Sequence, residues 1–193
     1  NLWMVEDDYD SEFRYDIEPL PSLQGLGRQD RVIYLGTFSK VTYPGLRLSY
    51  LVVPEALADA FGKGLTQLYR PGFLAVQAAM ADFIQEGHFA RHLNRMRSLY
   101  ARRRQWLVDA LHRQCGQRLR VNTQAGGMHL VATLDEGSDA ALAQRARTVG
   151  IAVEPLSQWY LRDTPRQGLV LGFTNIASAE QATAVASRLA QIL

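Results

Sequence analysis

Hydrophobic and polar positions along this 193-residue chain fall into two regimes, with a long helical stretch between them. The first regime opens on an apolar run, Leu2 to Val5, which predicts a short buried strand ending in an acidic turn at Glu6, Asp7 and Asp8. Residues 11–30 are polar and punctuated by Pro19, Pro21, Gly25 and Gly27, the composition of turns. "RVIYLGTF" (31–38) and "RLSYLVV" (47–53) are rich in β-branched and aromatic residues and predict two strands. Pro54 followed by "EALADAFGKGL" places a proline and an acid at the start of a helix. A second helical segment is expected over 73–85.

From His88 to Gln114 the period becomes helical and stays so. Phe89, Leu93, Met96, Tyr100, Leu107 and Leu111 recur largely at three- and four-residue steps, with arginines between them. A helix of about 25 residues would extend about 40 Å, long enough to join two lobes. After Cys115 strands and helices alternate. Strands are expected over 118–122, 128–134, 151–156 and 168–174, and helices over 138–150 and 178–193, the last with Ser178 as its cap. The predicted organisation is a first lobe at 1–90, a connecting helix at 91–114 and a small α/β domain at 115–193.

Composition narrows the class without naming it. With 47% hydrophobic and 21% charged residues the chain is globular, and a net charge of +2 gives no global attraction to nucleic acid or a membrane surface. A single cysteine, Cys115, cannot form an internal disulfide, which makes the cytoplasm the expected compartment. No apolar run approaches the roughly 20 residues of a membrane span, and no signal peptide is visible. No metal site is expected. Because the chain opens inside a strand without an initiator methionine, it is expected to be a piece of a longer protein.

The candidate chemistry lies in "GTFSKVTYPGLRLSY", residues 36–50. Lys40 stands after two hydroxyl residues, Thr37 and Ser39, and seven residues before Arg47. An amine attacks carbonyls only when partly deprotonated, and a guanidinium supplies forked donors for phosphate. One anion site beside one reactive amine suits a cofactor that is both phosphorylated and an aldehyde, such as pyridoxal phosphate, whose sites add an acid for the ring nitrogen. Asp7, at the end of the first strand, is the candidate acid, and Tyr9 is placed to donate to the cofactor's phenolic oxygen. By residue type alone each group also has a plainer reading: a surface lysine, a solvated arginine, an acidic turn.

"VEDDYDSEFRYD" (5–16), "YLGTFSKVTYPGLRLSYLVVP" (34–54) and "HLNRMRSLYARRR" (92–104) resemble the MocR/GabR-type regulators of the GntR superfamily. These join a winged helix-turn-helix to a domain similar to fold-type-I, pyridoxal-phosphate-dependent aminotransferases. The resemblance implies an α/β fold made of the C-terminal portion of the large domain plus the small domain. It implies that Lys40 carries the internal aldimine, that Asp7 pairs with the pyridine nitrogen and Tyr9 with O3′, and that Thr37, Ser39 and Arg47 hold the phosphate. It also implies a homodimer, a small amine, amino-acid or vitamer effector, and DNA contact only through a domain outside this chain.

The chain departs from such relatives at one position. Where they offer an arginine to a substrate carboxylate from a late strand, this chain reads "GLVLGFT" with Val170, leaving Arg162 and Arg166 as nearby substitutes or plain loop residues. The upstream half of such a domain lies outside the chain, so an unpaired sheet edge is expected. The arginines at 91, 95, 97 and 102–104 read either as a solvated helix face or as phosphate contacts to DNA. Trp159 and Tyr160 either line a cleft mouth or pack, and His129, after Gly126 and Gly127, is either substrate-facing or packed. Two functions share the site: an effector sensor that exchanges its aldimine at Lys40 without turnover, and an aminotransferase in which Lys40 is the general base.

Overall fold

The structure, a computed structural model, describes the whole chain except residues 1, 16, 17, 19, 28–30, 69–72, 124, 125, 162 and 163. It divides into two compact units, Asn1–Arg95 and Met96–Leu193.

The first unit is built on a three-stranded sheet of order β1-β2-β3, with β1 at Met4–Asp8, β2 at Val32–Thr37 and β3 at Ser49–Val52. β1 runs parallel to β2, from Met4 opposite Val32 to Asp8 opposite Gly36. β3 returns antiparallel, with Thr37 opposite Ser49. Around the sheet lie α1 (Leu23–Leu26), α2 (Phe38–Val41), α3 (Glu55–Leu68), α4 (Leu74–Gln85) and the first turns of α5 (His88–Cys115). Among the described residues, Phe13, Tyr15, Val32, Val41, Met80 and Leu93 are its buried large apolar side chains.

Three expectations are corrected here. The first strand does not stop at Val5 in an acidic turn, because its acids find partners beside the strand and leave the backbone free to pair. Glu6 accepts the amides of Leu23 and Gln24 at 2.9 and 3.1 Å, and Asp8 accepts the Tyr34 hydroxyl at 2.8 Å. Nor is the strand buried: Met4 and Val5 are exposed. Finally, residues 23–26, read as turn, form a short helix whose first amides those same Glu6 bonds satisfy.

In the second unit the sheet order is β4-β5-β7-β6, antiparallel throughout, with β4 at Leu119–Asn122, β5 at His129–Leu134, β6 at Glu154–Pro155 and β7 at Gly168–Gly172. Alternation turns Leu130 and Ala132 of β5, and Leu169 and Leu171 of β7, into a core. Leu107 and Leu111 of α5, Leu142 and Ala146 of α6 (Asp139–Thr148), and Ala186 and Leu189 of α7 (Ala179–Ile192) are buried in the same unit. The expected cap at Ser178 is present, accepting the Gln181 amide, and Ser138 caps α6 in the same way by accepting the Ala141 amide.

Asp139 is the unit's one fully buried carboxylate among the described residues, 1% exposed. It accepts the Ser157 amide at 2.8 Å, the Ser157 hydroxyl at 2.7 Å and the Gly168 amide at 3.0 Å. Those bonds draw residues 156–159 into a 3₁₀ turn and fix the start of β7. The strand expected over 151–156 accordingly shrinks to Glu154–Pro155, where Pro155 also has no amide to donate.

Candidate functional site

Because β1 and β2 are parallel, their C-terminal ends lie at one end of the sheet. Because β3 is antiparallel, its N-terminal end lies there too. Topology therefore brings Asp7 at the end of β1 and Tyr9 just after it, Thr37 at the end of β2 with Ser39 and Lys40 following, and Arg47 before β3 to one sheet end. This is where ligands sit in open α/β sheets.

The loop between β2 and β3 is braced from within. The Phe38 amide donates to the Leu48 carbonyl at 3.0 Å, and the Leu48 amide to the Ser39 hydroxyl at 3.1 Å. Thr37 donates its own hydroxyl to the Leu48 carbonyl at 3.3 Å and accepts the Ser39 amide and the Ser49 hydroxyl, each at 3.2 Å. Thr37 thus braces the loop that carries Ser39. Ser39, which accepts an amide, keeps its hydroxyl proton to donate elsewhere. Gly36 is required at the end of β2, since a Cβ there would fall inside the Tyr50 ring.

Lys40 does not stand on a plain strand-to-loop connection. It occupies the single-turn α2, with its side chain exposed while Val41 beside it is buried. Arg47 is also exposed, and its backbone takes the left-handed conformation at φ 49°. A non-glycine residue there carries strain of about 1 kcal/mol, a cost associated with functional positions. Neither cation has an ion-pair partner among the described residues. Asp7 is exposed at the end of β1. The Asp10 carboxylate, followed by burial and the Asp7 charge, raises the Tyr9 phenol above its ordinary value, so Tyr9 keeps its proton and remains a donor.

Other residues meet different fates. Val170 sits half-buried in β7, opposite Val131 on one side and Glu154 on the other. Arg166 is exposed, and Arg162 lies outside the described residues. Trp159 and Tyr160 are exposed beyond the turn that Asp139 holds, and His129 is exposed in β5 opposite Gly172. The arginines of α5 do not form one solvated stripe: Arg103 donates to the Thr174 carbonyl and Arg104 is buried, while Arg91, Arg95 and Arg102 are exposed. Sequence reasoning missed Asp8, which takes the Tyr34 hydroxyl and both the amide and hydroxyl of Ser11. Extending the first strand by three residues would have separated it from Asp7 by face.

The aminotransferase class I and II family matches residues 3–170, and the chain belongs to it. Within that family it is similar to MocR-type regulators. It is 43% identical over 177 residues to the probable rhizopine catabolism regulatory protein MocR of Rhizobium meliloti, covering 91% of this chain and 36% of that protein. It is 37% identical over 181 residues to the uncharacterised HTH-type transcriptional regulator YhdI of Bacillus subtilis, covering 93% of this chain and 39% of that one. Among solved structures, LysN, an α-aminoadipate aminotransferase from Thermus thermophilus complexed with N-(5′-phosphopyridoxyl)-L-leucine, superimposes with a TM-score of 0.86 at 30% identity. That match covers all of this chain and 50% of LysN. The chain thus spans about two-fifths of the curated regulators and half of the enzyme.

Family and fold imply pyridoxal 5′-phosphate as the cofactor. The donor set at the sheet end fits it: a guanidinium and a hydroxyl for an anion, an unpaired amine for a carbonyl, and a carboxylate and a protonated phenol for a heteroaromatic ring. No helix among the described residues is long and apolar enough to cross a membrane.

Proposed function

We propose that this chain is part of the effector-sensing domain of a MocR/GabR-type transcriptional regulator, binding pyridoxal phosphate and switching by covalent exchange at Lys40. The observation that carries the reading is the gathering of Asp7, Tyr9, Ser39, Lys40 and Arg47 at one sheet end, in a chain 43% identical to a regulator. Its organisation is read as the large-domain portion at 1–90, the connecting helix at 91–114 and the small domain at 115–193. DNA contact belongs to a winged helix-turn-helix outside the chain, the protein works as a cytoplasmic homodimer, and the effector is a small amine, amino acid or vitamer.

Each residue has a task. Thr37, Ser39 and Arg47 hold the phosphate, and Thr37 also braces the loop that presents the other two. Asp7 stabilises a proton on the ring nitrogen, and Tyr9 donates to the ring oxygen. When bound, the cofactor supplies an electrophilic carbon to which an amine can be joined. Lys40 is the chain's own amine for that carbon, and an effector amine displaces it. Binding one conformation more tightly than another then shifts the regulator between states. Val170, uncharged, offers a carboxylate nothing from β7, which favours effectors recognised by their amine.

A second reading, an aminotransferase of class I or II, is favoured by the superposition on LysN. There Lys40, once displaced, would take the substrate's Cα proton. The test uses the full-length protein. Borohydride reduction should fix the cofactor to Lys40, and Lys40→Ala should abolish that adduct; an adduct that survives the substitution overturns the site. An amine that changes operator binding without multiple turnovers supports the regulator, whereas sustained turnover of amino donors supports the enzyme.

A further inference from the structure

A helix of one turn cannot hold itself together, since nucleation fixes several residues for one hydrogen bond. α2 carries Lys40, and its rigidity must come from elsewhere. At its start, Thr37 accepts the Ser39 amide. At its end, the Thr42 amide and hydroxyl both donate to the Phe38 carbonyl, at 2.9 and 2.6 Å. These bonds define the turn without fixing its direction.

Direction comes from the start of α5. His92 Nε2 donates to the Val41 carbonyl at 2.9 Å, one of the carbonyls a helix end leaves unsatisfied. Phe89, one turn before His92, meets the Phe38 ring edge-on with centroids 5.8 Å apart, and Phe38 also lies 5.1 Å from the Tyr50 ring. Phe38 and Val41, three residues apart, form the gripped face of α2, while Lys40 is exposed. Phe83, at 6.5 Å from both the Phe89 and His92 rings, backs the contact from α4.

From this geometry we infer that His92 is a positioning residue for Lys40: its bond to the Val41 carbonyl fixes the rotation of α2 and so the line along which the amine reaches a bound aldehyde. The inference rests on the reading of Lys40 as the cofactor's covalent partner. His92 is bonded to the backbone beside Lys40. It acts on the carbonyl of the residue next to the lysine, through a helix that continues to Cys115. Capture joins the Lys40 nitrogen to the aldehyde carbon and releases one water. Its rate depends on approach geometry, where a displacement of about 1 Å costs on the order of a hundredfold.

The test uses the full-length protein with pyridoxal phosphate as the probe, and separates binding from capture. Non-covalent affinity is read on a Lys40→Ala background, and capture by borohydride trapping against time, with mass spectrometry of the Lys40 peptide. His92→Phe keeps a ring against Phe83 and removes the donor; His92→Gln keeps a donor at similar reach. Expected is a fall in capture rate of about ten- to a hundredfold for His92→Phe, with affinity changed by less than about threefold, and recovery to within about threefold for His92→Gln. Capture at the wild-type rate in His92→Phe overturns the inference, as does loss of affinity and capture in parallel in both variants. A wild-type adduct that forms on a residue other than Lys40 overturns the reading beneath it instead.

Discussion

In the second unit Leu111, Leu119, Leu169 and Leu189 are all 0% exposed, whereas in the first unit Met4, Val5, Leu65, Leu68 and Leu74 range from 48% to 81% exposed. One unit closes over its own core, and the other holds a few buried residues under a sheet and helices that remain largely open. α3 has no buried residue at all. Yet every candidate cofactor residue lies in the open unit. Within this chain, which spans about half or less of its relatives, hydrophobic burial holds the second unit, while hydrogen bonds among Thr37, Ser39 and Leu48, and from His92 to the Val41 carbonyl, brace the site.

The sharpest way to break this comparison is a matched pair of substitutions. Leu111→Ala should lower the unfolding free energy by about 2–5 kcal/mol, the cost of a cavity in a packed core. Leu65→Ala, on the open helix, should stay within about 0.5 kcal/mol. Urea denaturation of this chain and of each variant measures both, and equal effects would mean that Leu65 is packed as closely as Leu111. A smaller effect of opposite sign is expected at Arg47. Arg47→Gly removes the left-handed strain and should stabilise the fold by about 0.5–1 kcal/mol. In the full-length protein it should also weaken pyridoxal phosphate binding about tenfold or more, through loss of a charged hydrogen bond. Destabilisation by this substitution would show that the guanidinium serves the fold and not the ligand.

The legibility of the sequence follows the same division. In the second unit the periods are long and every apolar stripe is buried, so α5, α6, α7 and most strands are readable from pattern alone. β6 is the exception, because a carboxylate at Asp139, outside that segment, decides its shape. In the first unit the chemistry was more readable than the architecture. Lys40, Arg47 and the hydroxyls stand close in sequence and declare an anion and an amine. Their mount was hidden, since α2 depends on Phe89 and His92, about fifty positions away. β1 reads as ending at Val5 because three acids in a row look like a turn, until Glu6 is known to accept the Leu23 amide and Asp8 the Tyr34 hydroxyl. His92 had no local signal at all.

The parallel pairing of β1 and β2 has one more consequence. All six candidate positions come from two stretches, 7–9 and 37–47, and what aligns them is strand register, from Met4↔Val32 to Asp8↔Gly36. The connection between the strands contributes Phe13 and Tyr15 to the core, while Leu20 and Pro21 within it are exposed. Loop closure penalises added length only logarithmically, about 0.6 kcal/mol per doubling. Four residues inserted between the exposed Leu20 and Pro21 should therefore leave stability within about 1 kcal/mol and cofactor capture by the full-length protein intact, as denaturation and borohydride trapping would show. The number of residues between the acid and the lysine is then free to change as long as the strand register that sets both at one sheet end is kept.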